Sequence, residues 1–309
     1  MKCGDVLEMH AALVRQTVVL IAPFIKTLPL QRLLTLIDAE TDLTIVTRWR
    51  PDEVAVGVSD LDVFDVVANR PRSRLRLCDQ IHAKIYRFDN VVLVGSANLT
   101  GAALGWSRRI NIELLCQPAE PEPIFGLIDE ILTRSVEAIE EIRDAVAAAA
   151  ACLEKSKDYP PDEPISEPAT DNLTYWAPTM RNPEGLWRAY IGDNSKLIEV
   201  ARQQADSDLS ELDLPMGLDR AAFEAAVSAK LMMHPLLRQL DDFVLTAKRF
   251  GAVSEFVGRL PFKAGRDPSE QWQTIMRWLL HFLPERYTYS RPRHSEVFAR
   301  SDAGRPNRY

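Results

Sequence analysis

Cysteine is scarce: only Cys3, Cys78, Cys116 and Cys152 occur in 309 residues, and no two of them fall in a C-x-x-C spacing. That excludes a disulfide framework and a zinc ribbon. Basic charge is short as well. The chain has 37 Lys+Arg against 44 Asp+Glu, a net charge of -7, which excludes a histone-like grip on nucleic acid but leaves room for a local basic patch. No apolar run approaches the roughly 20 residues of a membrane span. The N-terminus, with Lys2 followed by Asp5 and Glu8, makes a poor signal peptide. A soluble, cytoplasmic protein is the expectation. At 46% hydrophobic and 26% charged the composition is that of a folded chain. The length, about twice the ~150 residues of a typical domain, predicts two domains.

The first half alternates. Residues 17–24 (TVVLIAPF) and 43–49 (LTIVTRW) are short β-branched runs that read as buried strands. Residues 28–39 carry leucines at helical spacing, and residues 60–68 form a second helical segment opened by Asp60. Residues 75–78, 82–88, 91–94 and 109–116 read as further strands, the tight Asp89-Asn90 step between two of them predicting a hairpin. This pattern predicts an α/β fold with a mixed sheet. Residues 124–155 then read as one long helix ending in an alanine-rich stretch, better suited to packing or dimerisation than to a membrane. The Pro- and acid-rich residues 156–174 look like a linker. Beyond it, residues 186–204, 220–250 and 268–282 read as helices, and residues 284–309, with six arginines against three acids, as a loose tail. The expected division is 1–155 catalytic, 156–174 linker and 175–309 mainly helical.

Chemistry concentrates in residues 81–100, IHAKIYRFDNVVLVGSANLT. On an extended strand His82 and Lys84 leave the same face. The following strand delivers Gly95, Ser96, Ala97 and Asn98 at its end. An imidazole beside an ammonium, a hydroxyl and an amide donor is what phosphoryl transfer needs: cation and donors neutralise the non-bridging oxygens, and glycine lets a phosphate approach the backbone.

These residues resemble the phospholipase D superfamily, whose signature is H-x-K-x4-D followed by G-S-x-N. His82, Lys84 and Asp89 match the first part, and Gly95, Ser96 and Asn98 the second. The gap between the two parts is one residue shorter than in many members, which bears on Asp89 rather than on His82 or Lys84. Asn111 and Glu113 match the family's downstream Asn-x-Glu. The resemblance covers roughly residues 10–150 and implies a phospholipase D-like mixed sheet flanked by helices. It also implies a metal-independent reaction with no cofactor, in which His82 is the nucleophile and forms a phosphohistidine. Lys84, Ser96 and Asn98 would hold the phosphate, and Glu113 would orient the imidazole, as the third member of a triad does. No carboxylate cluster lies beside the motif to suit a two-metal mechanism. Of five histidines, His10, His82, His234, His281 and His294, none after His82 begins another H-x-K. In single-motif members the site lies across a two-fold axis, so a homodimer is implied.

Three features favour nucleic acid as substrate. Arg72, Arg74 and Arg76 alternate before the motif, Arg48 and Arg50 flank Trp49, and Arg108 and Arg109 follow Trp106. Basic residues interleaved with aromatics suit a phosphate backbone with bases to stack, so Arg72, Arg74, Arg76, Arg48 and Trp106 are the candidate substrate-binding residues. The leading expectation is a nuclease serving restriction or phage defence. The alternatives are a phospholipase or phosphatidyltransferase on the same fold, and a non-catalytic nucleic-acid-binding member. The helical half carries no helix-turn-helix or zinc signature and is a candidate surface for a partner protein. Its tryptophans (Trp176, Trp187, Trp272 and Trp278) and His234 read as structural.

Overall fold

A computed structural model describes residues 2–153, 175–193, 195, 197–263, 267–292 and 296–301. The expected linker, His294 and the end of the arginine-rich tail lie outside the described residues. The chain separates into two compact units, Met1–Lys157 and Asp158–Tyr309.

The first unit runs α1 (Cys3–Leu13), β1 (Thr17–Ile21), α2 (Thr27–Leu34), β2 (Asp42–Thr47), α3 (Pro51–Ala55), α4 (Val63–Ala68), β3 (Ser73–Leu77), β4 (Ile85–Phe88), β5 (Val91–Gly95), β6 (Leu115–Cys116), α5 (Glu122–Arg134), β7 (Val136–Glu137) and α6 (Glu140–Ala151). Its strands form one mixed sheet of seven in the order β6-β5-β4-β1-β2-β3-β7. β1, β2 and β3 are parallel, and all other pairings are antiparallel. β1 is central, which is why its sequence is an unbroken apolar run: Val18, Val19, Leu20 and Ile21 are all buried. On one face Val19, Ile21, Val46, Ile81, Ile85 and Val92 pack with Ile128 and Ile131 of α5. Elsewhere α1 packs on α2 and β4, and α4 on β3.

Four expectations change here. Helix α1 was not foreseen; only Leu7 and Ala11, one turn apart, are buried among its larger apolar residues. The long helix over 124–155 is two helices, because Val136 and Glu137 leave the helical path to pair with Leu77 and Arg76 on the open edge of β3. In place of a strand over 109–116, only Leu115 and Cys116 enter the ladder. Residues 81–84 likewise precede the ladder, which begins at Ile85.

The second unit contains α7 (Leu186–Tyr190), α8 (Glu199–Leu212), α9 (Arg220–Met233), α10 (Pro235–Phe243), β8 (Lys248–Arg249), α11 (Phe250–Val257), α12 (Pro268–Phe282), β9 (Tyr287–Ser290) and β10 (Val297–Arg300). The helices expected over 186–204 and 220–250 are each broken, the first around Gly192, whose φ of +76 suits glycine, and the second at Pro235. Part of the expected loose tail forms β9 and β10, which join β8 in an antiparallel sheet of order β8-β10-β9. Trp272 and Trp278 are fully buried. His234 is half-buried among Tyr175, Trp176 and Phe262, and its Nδ1 accepts the Leu237 N–H that opens α10. Burial pushes its pKa down to about 4, so it is neutral at pH 7. Asp241 of α10 accepts from Arg286 and Tyr287 of the β9 segment and from Arg300 of β10, joining helix to sheet.

Candidate active site

Strand register decides which residues meet. Ile21 stands opposite Val46 and Ile85, and Ile85 opposite Val94. The carboxyl ends of β1, β2, β3 and β5 therefore share one edge of the sheet with the amino end of β4. His82 and Lys84 enter at this near edge, where Gly95–Asn98 leave it. It is also the edge where open α/β sheets generally place ligands.

His82 is exposed, and Lys84 curls back so that its Nζ donates to the His82 carbonyl at 2.8 Å. The backbone just before them is held from beneath. Arg48 Nη1 donates to the Ile81 carbonyl at 3.2 Å, while its Nε and Nη2 grip Glu53. Both partners are buried, with side-chain exposures of 4% and 0%. Arg48 is thus buried against the Ile81 backbone rather than a surface cation awaiting substrate.

Gly95 is required for a reason the sequence did not show. A Cβ there would lie 1.9 Å from the Leu114 carbonyl oxygen, so the glycine admits the crossing chain rather than a phosphate. That crossing builds the next group of side chains. Ser96 N donates to Leu114 O at 2.9 Å, and Leu114 N donates to Ser96 Oγ at 3.1 Å. The Ser96 hydroxyl in turn donates to Glu113, whose other oxygen accepts from Asn111 Nδ2 at 3.1 Å. Ser96, Asn111 and Glu113 therefore form one network. Asn98 turns its carbamoyl oxygen to the Phe24 N–H at 3.4 Å, and its Nδ2 has no partner among the described residues. An anion oxygen at the near edge would meet that donor.

Sequence reasoning missed three supports. Tyr86, fully buried, donates its hydroxyl to the Ala97 carbonyl at 2.7 Å and stiffens the Ser96–Asn98 turn. Burial, with Cys3 and Glu113 adding to it, raises its pKa. Cys3 of α1 lies close enough to Glu113 for the carboxylate to add to the upward push that burial gives its thiol. Phe24, which anchors Asn98, carries no sequence signal at all, since its contribution is a backbone N–H.

Asp89 stands apart from the others. Four residues of β4 separate it from the near edge, about 13 Å at ~3.3 Å per residue. It turns the hairpin with φ +52, and its carboxylate accepts the Arg15, Gln16 and Thr17 N–H groups at 2.8–2.9 Å. Burial pushes its pKa up, but these backbone donors outweigh that and hold it below the ordinary carboxylate range.

The structure redistributes the expected substrate-binding residues. Arg72 pairs through Nε and Nη2 with Asp42 at 3.0 and 2.9 Å, and Arg74 stands opposite Thr44, which puts both toward the opposite, far edge. Arg76 is tied to Ser135 Oγ, Ser135 O and Leu132 O, fastening the end of α5. Trp106 lies against Gly4, where a Cβ would come within 2.2 Å of its Nε1, and Arg32 covers its ring at 4.4 Å. Arg48 is buried as described. None of the five presents an open cationic or aromatic surface at the near edge. His10 stacks on Phe88, away from His82. Among the described residues no group of three or more His, Cys, Asp or Glu could hold a metal ion, and no helix is long and apolar enough to cross a membrane.

No family model and no curated protein matches the chain. Among solved structures it is similar to NucT from Helicobacter pylori, at 15% identity over 43% of this chain and 89% of that one, with a TM-score of 0.36. It is similar to phosphatidylserine synthase from Haemophilus influenzae Rd KW20 at 13% identity, over 53% of this chain and 45% of that one, with a TM-score of 0.38. The likeness extends, at 17% identity over 43% of this chain and 89% of the other and with a TM-score of 0.35, to Nuc from Salmonella typhimurium, a phospholipase D family member.

Proposed function

We propose that this chain is a metal-independent phosphodiesterase of nuclease type that cleaves DNA or RNA through a phosphohistidine. One observation carries the reading: His82 and Lys84 reach the same edge of the sheet as the Asn98 donor and the Ser96–Glu113–Asn111 network. In the first step the His82 imidazole attacks phosphorus, a P–N bond forms, and the bond to the leaving oxygen breaks. Lys84 and the Asn98 Nδ2 neutralise charge on the non-bridging oxygens. Glu113, held by Ser96 and Asn111, takes the distal ring N–H and fixes the tautomer. Water then hydrolyses the phosphohistidine.

The leaving oxygen needs a proton, and a second imidazole supplies it. With one H-x-K per chain, that imidazole comes from a second copy across a two-fold axis. Support comes from residues 110–114. Asn111 and Glu113 belong to the site network, while the alternate side chains Ile110, Ile112 and Leu114 are 57%, 104% and 66% exposed. Such an apolar row beside a site suits an isologous contact.

The test is turnover of labelled DNA, RNA and phosphatidylcholine vesicles in EDTA. Cleavage of nucleic acid is expected to persist. Loss with chelator and rescue by a divalent cation would remove the phosphohistidine route, and turnover of the lipid alone would move the chain to the phospholipases. In a freely exchanging 1:1 mixture with His82→Ala chains, activity should fall to roughly a quarter, because three of four random dimers lack a histidine.

A further inference from the structure

Four arginines of the first unit, Arg15, Arg74, Arg108 and Arg109, are exposed and have no side-chain partner among the described residues. They divide by position. Arg15 precedes β1, where Thr17 stands opposite Asp42, and Arg74 stands opposite Thr44, so both lie toward the far edge. Arg108 and Arg109 lie beyond the near edge, because the chain reaches the sheet only where Leu114 meets Ser96 and Leu115 meets Gly95.

Their loop is fixed on both sides. Trp106 and Ser107 donate backbone N–H bonds to Gly101 O at 2.8 and 3.0 Å, and Asn111 donates to Ala102 O at 3.0 Å. The Trp106 ring is wedged between Gly4 and Arg32. Lys2 Nζ holds the Gly105 carbonyl at 3.0 Å. Two guanidiniums are thus presented on an anchored backbone, and little order must be bought when an anion binds. Arg109 is four residues from Glu113, at most about 14 Å of chain. Phosphates in duplex DNA are spaced ~3.4 Å per strand along the axis, so this reach covers a few phosphates flanking the one at His82.

We propose that Arg108 and Arg109 form a track for the phosphodiester backbone beside the scissile phosphate, making the substrate an extended nucleic-acid strand rather than an isolated diester. This rests on the nuclease reading above. The experiment replaces both residues by glutamine in the His82→Ala protein, so that the strand survives, and follows binding of an oligonucleotide against salt. Losing two phosphate contacts should make the slope of log K against log salt shallower by about 1.4 for single strands or 1.8 for duplex. Between roughly 50 and 200 mM salt, the weakening should then be about tenfold smaller than in the parent. The Arg108→Lys/Arg109→Lys pair should restore the slope, and Arg15→Gln/Arg74→Gln should leave it at the parent value. In otherwise wild-type enzyme, the glutamine pair should raise KM for the strand relative to KM for bis(p-nitrophenyl) phosphate. An unchanged slope in the glutamine pair, with wild-type enzyme cutting the strand, overturns the track alone. Wild-type turnover of the small diester with the strand left uncut overturns the nuclease reading, and the track with it.

Discussion

The two edges of the seven-stranded sheet treat the H-x-K-x4-D residues in opposite ways. At the far edge Asp89 accepts three backbone N–H groups and Arg72 is clasped by Asp42, while Arg15 and Arg74 remain open there. At the near edge His82 is exposed, the Asn98 Nδ2 is open, and Arg108 and Arg109 have no partners among the described residues. One strand, β4, joins the two conditions, and the H-x-K-x4-D motif runs its whole length. A single motif therefore has an exposed end at His82 and an end at Asp89 closed by backbone donors. Spacing makes the match, while the edge determines what each residue does.

The sharpest way to break this comparison is His82→Ala. If the near edge is the reactive one, kcat should fall by about 10⁴ or more while the strand still binds. Turnover near wild type in a single-turnover assay would show that the chemistry lies elsewhere.

Arg48→Met probes the support beneath that edge. It removes the Arg48 guanidinium from the buried Glu53 carboxylate, and breaking a buried pair in this way costs about 3–5 kcal/mol. Urea unfolding should show that loss, and Arg48→Met/Glu53→Leu should recover most of it. The double variant should still show reduced kcat with KM less affected, because nothing then holds the Ile81 carbonyl before His82. Full recovery of kcat would reduce Arg48 to a purely structural part.

The far edge gives the smallest effect. Asp89→Asn should lower stability by about 1 kcal/mol at pH 7, comparable to the loss of a helix cap. The pH dependence has a definite sign. Asp89 is held below its unfolded value, ~3.9, so its contribution is complete above that value and disappears as pH falls through the lower folded pKa. The gap between wild type and Asp89→Asn should be constant at neutral pH and narrow in acid; a gap that widens in acid would contradict the assigned hydrogen bonds.

Much of the first unit was legible because its signals are local. The apolar run of β1 records burial on both faces, and the Asp89-Asn90 step records a turn. His82, Lys84, Ser96 and Asn98 were readable as a group because a hairpin brings its own ends together. The split of the 124–155 helix was not legible. Helical periodicity continues through Val136, and only the open edge of β3, about 60 residues earlier in the chain, draws those residues into a strand.

The arginines mark the same boundary. The sequence by itself determined that basic side chains surround a hydroxyl, an amide and an imidazole in the first unit, because composition and alternation are properties of neighbours along the chain. Which of those cations stay open was decided by tertiary structure alone. Arg72 meets Asp42, Arg76 meets Ser135, and Arg48 links Glu53 to Ile81, all through strand order and register. Gly95 is the same case, its missing Cβ answering to the Leu114 carbonyl. A charge is neutralised by whatever lies within a few ångströms of it, and sequence distance does not measure that separation.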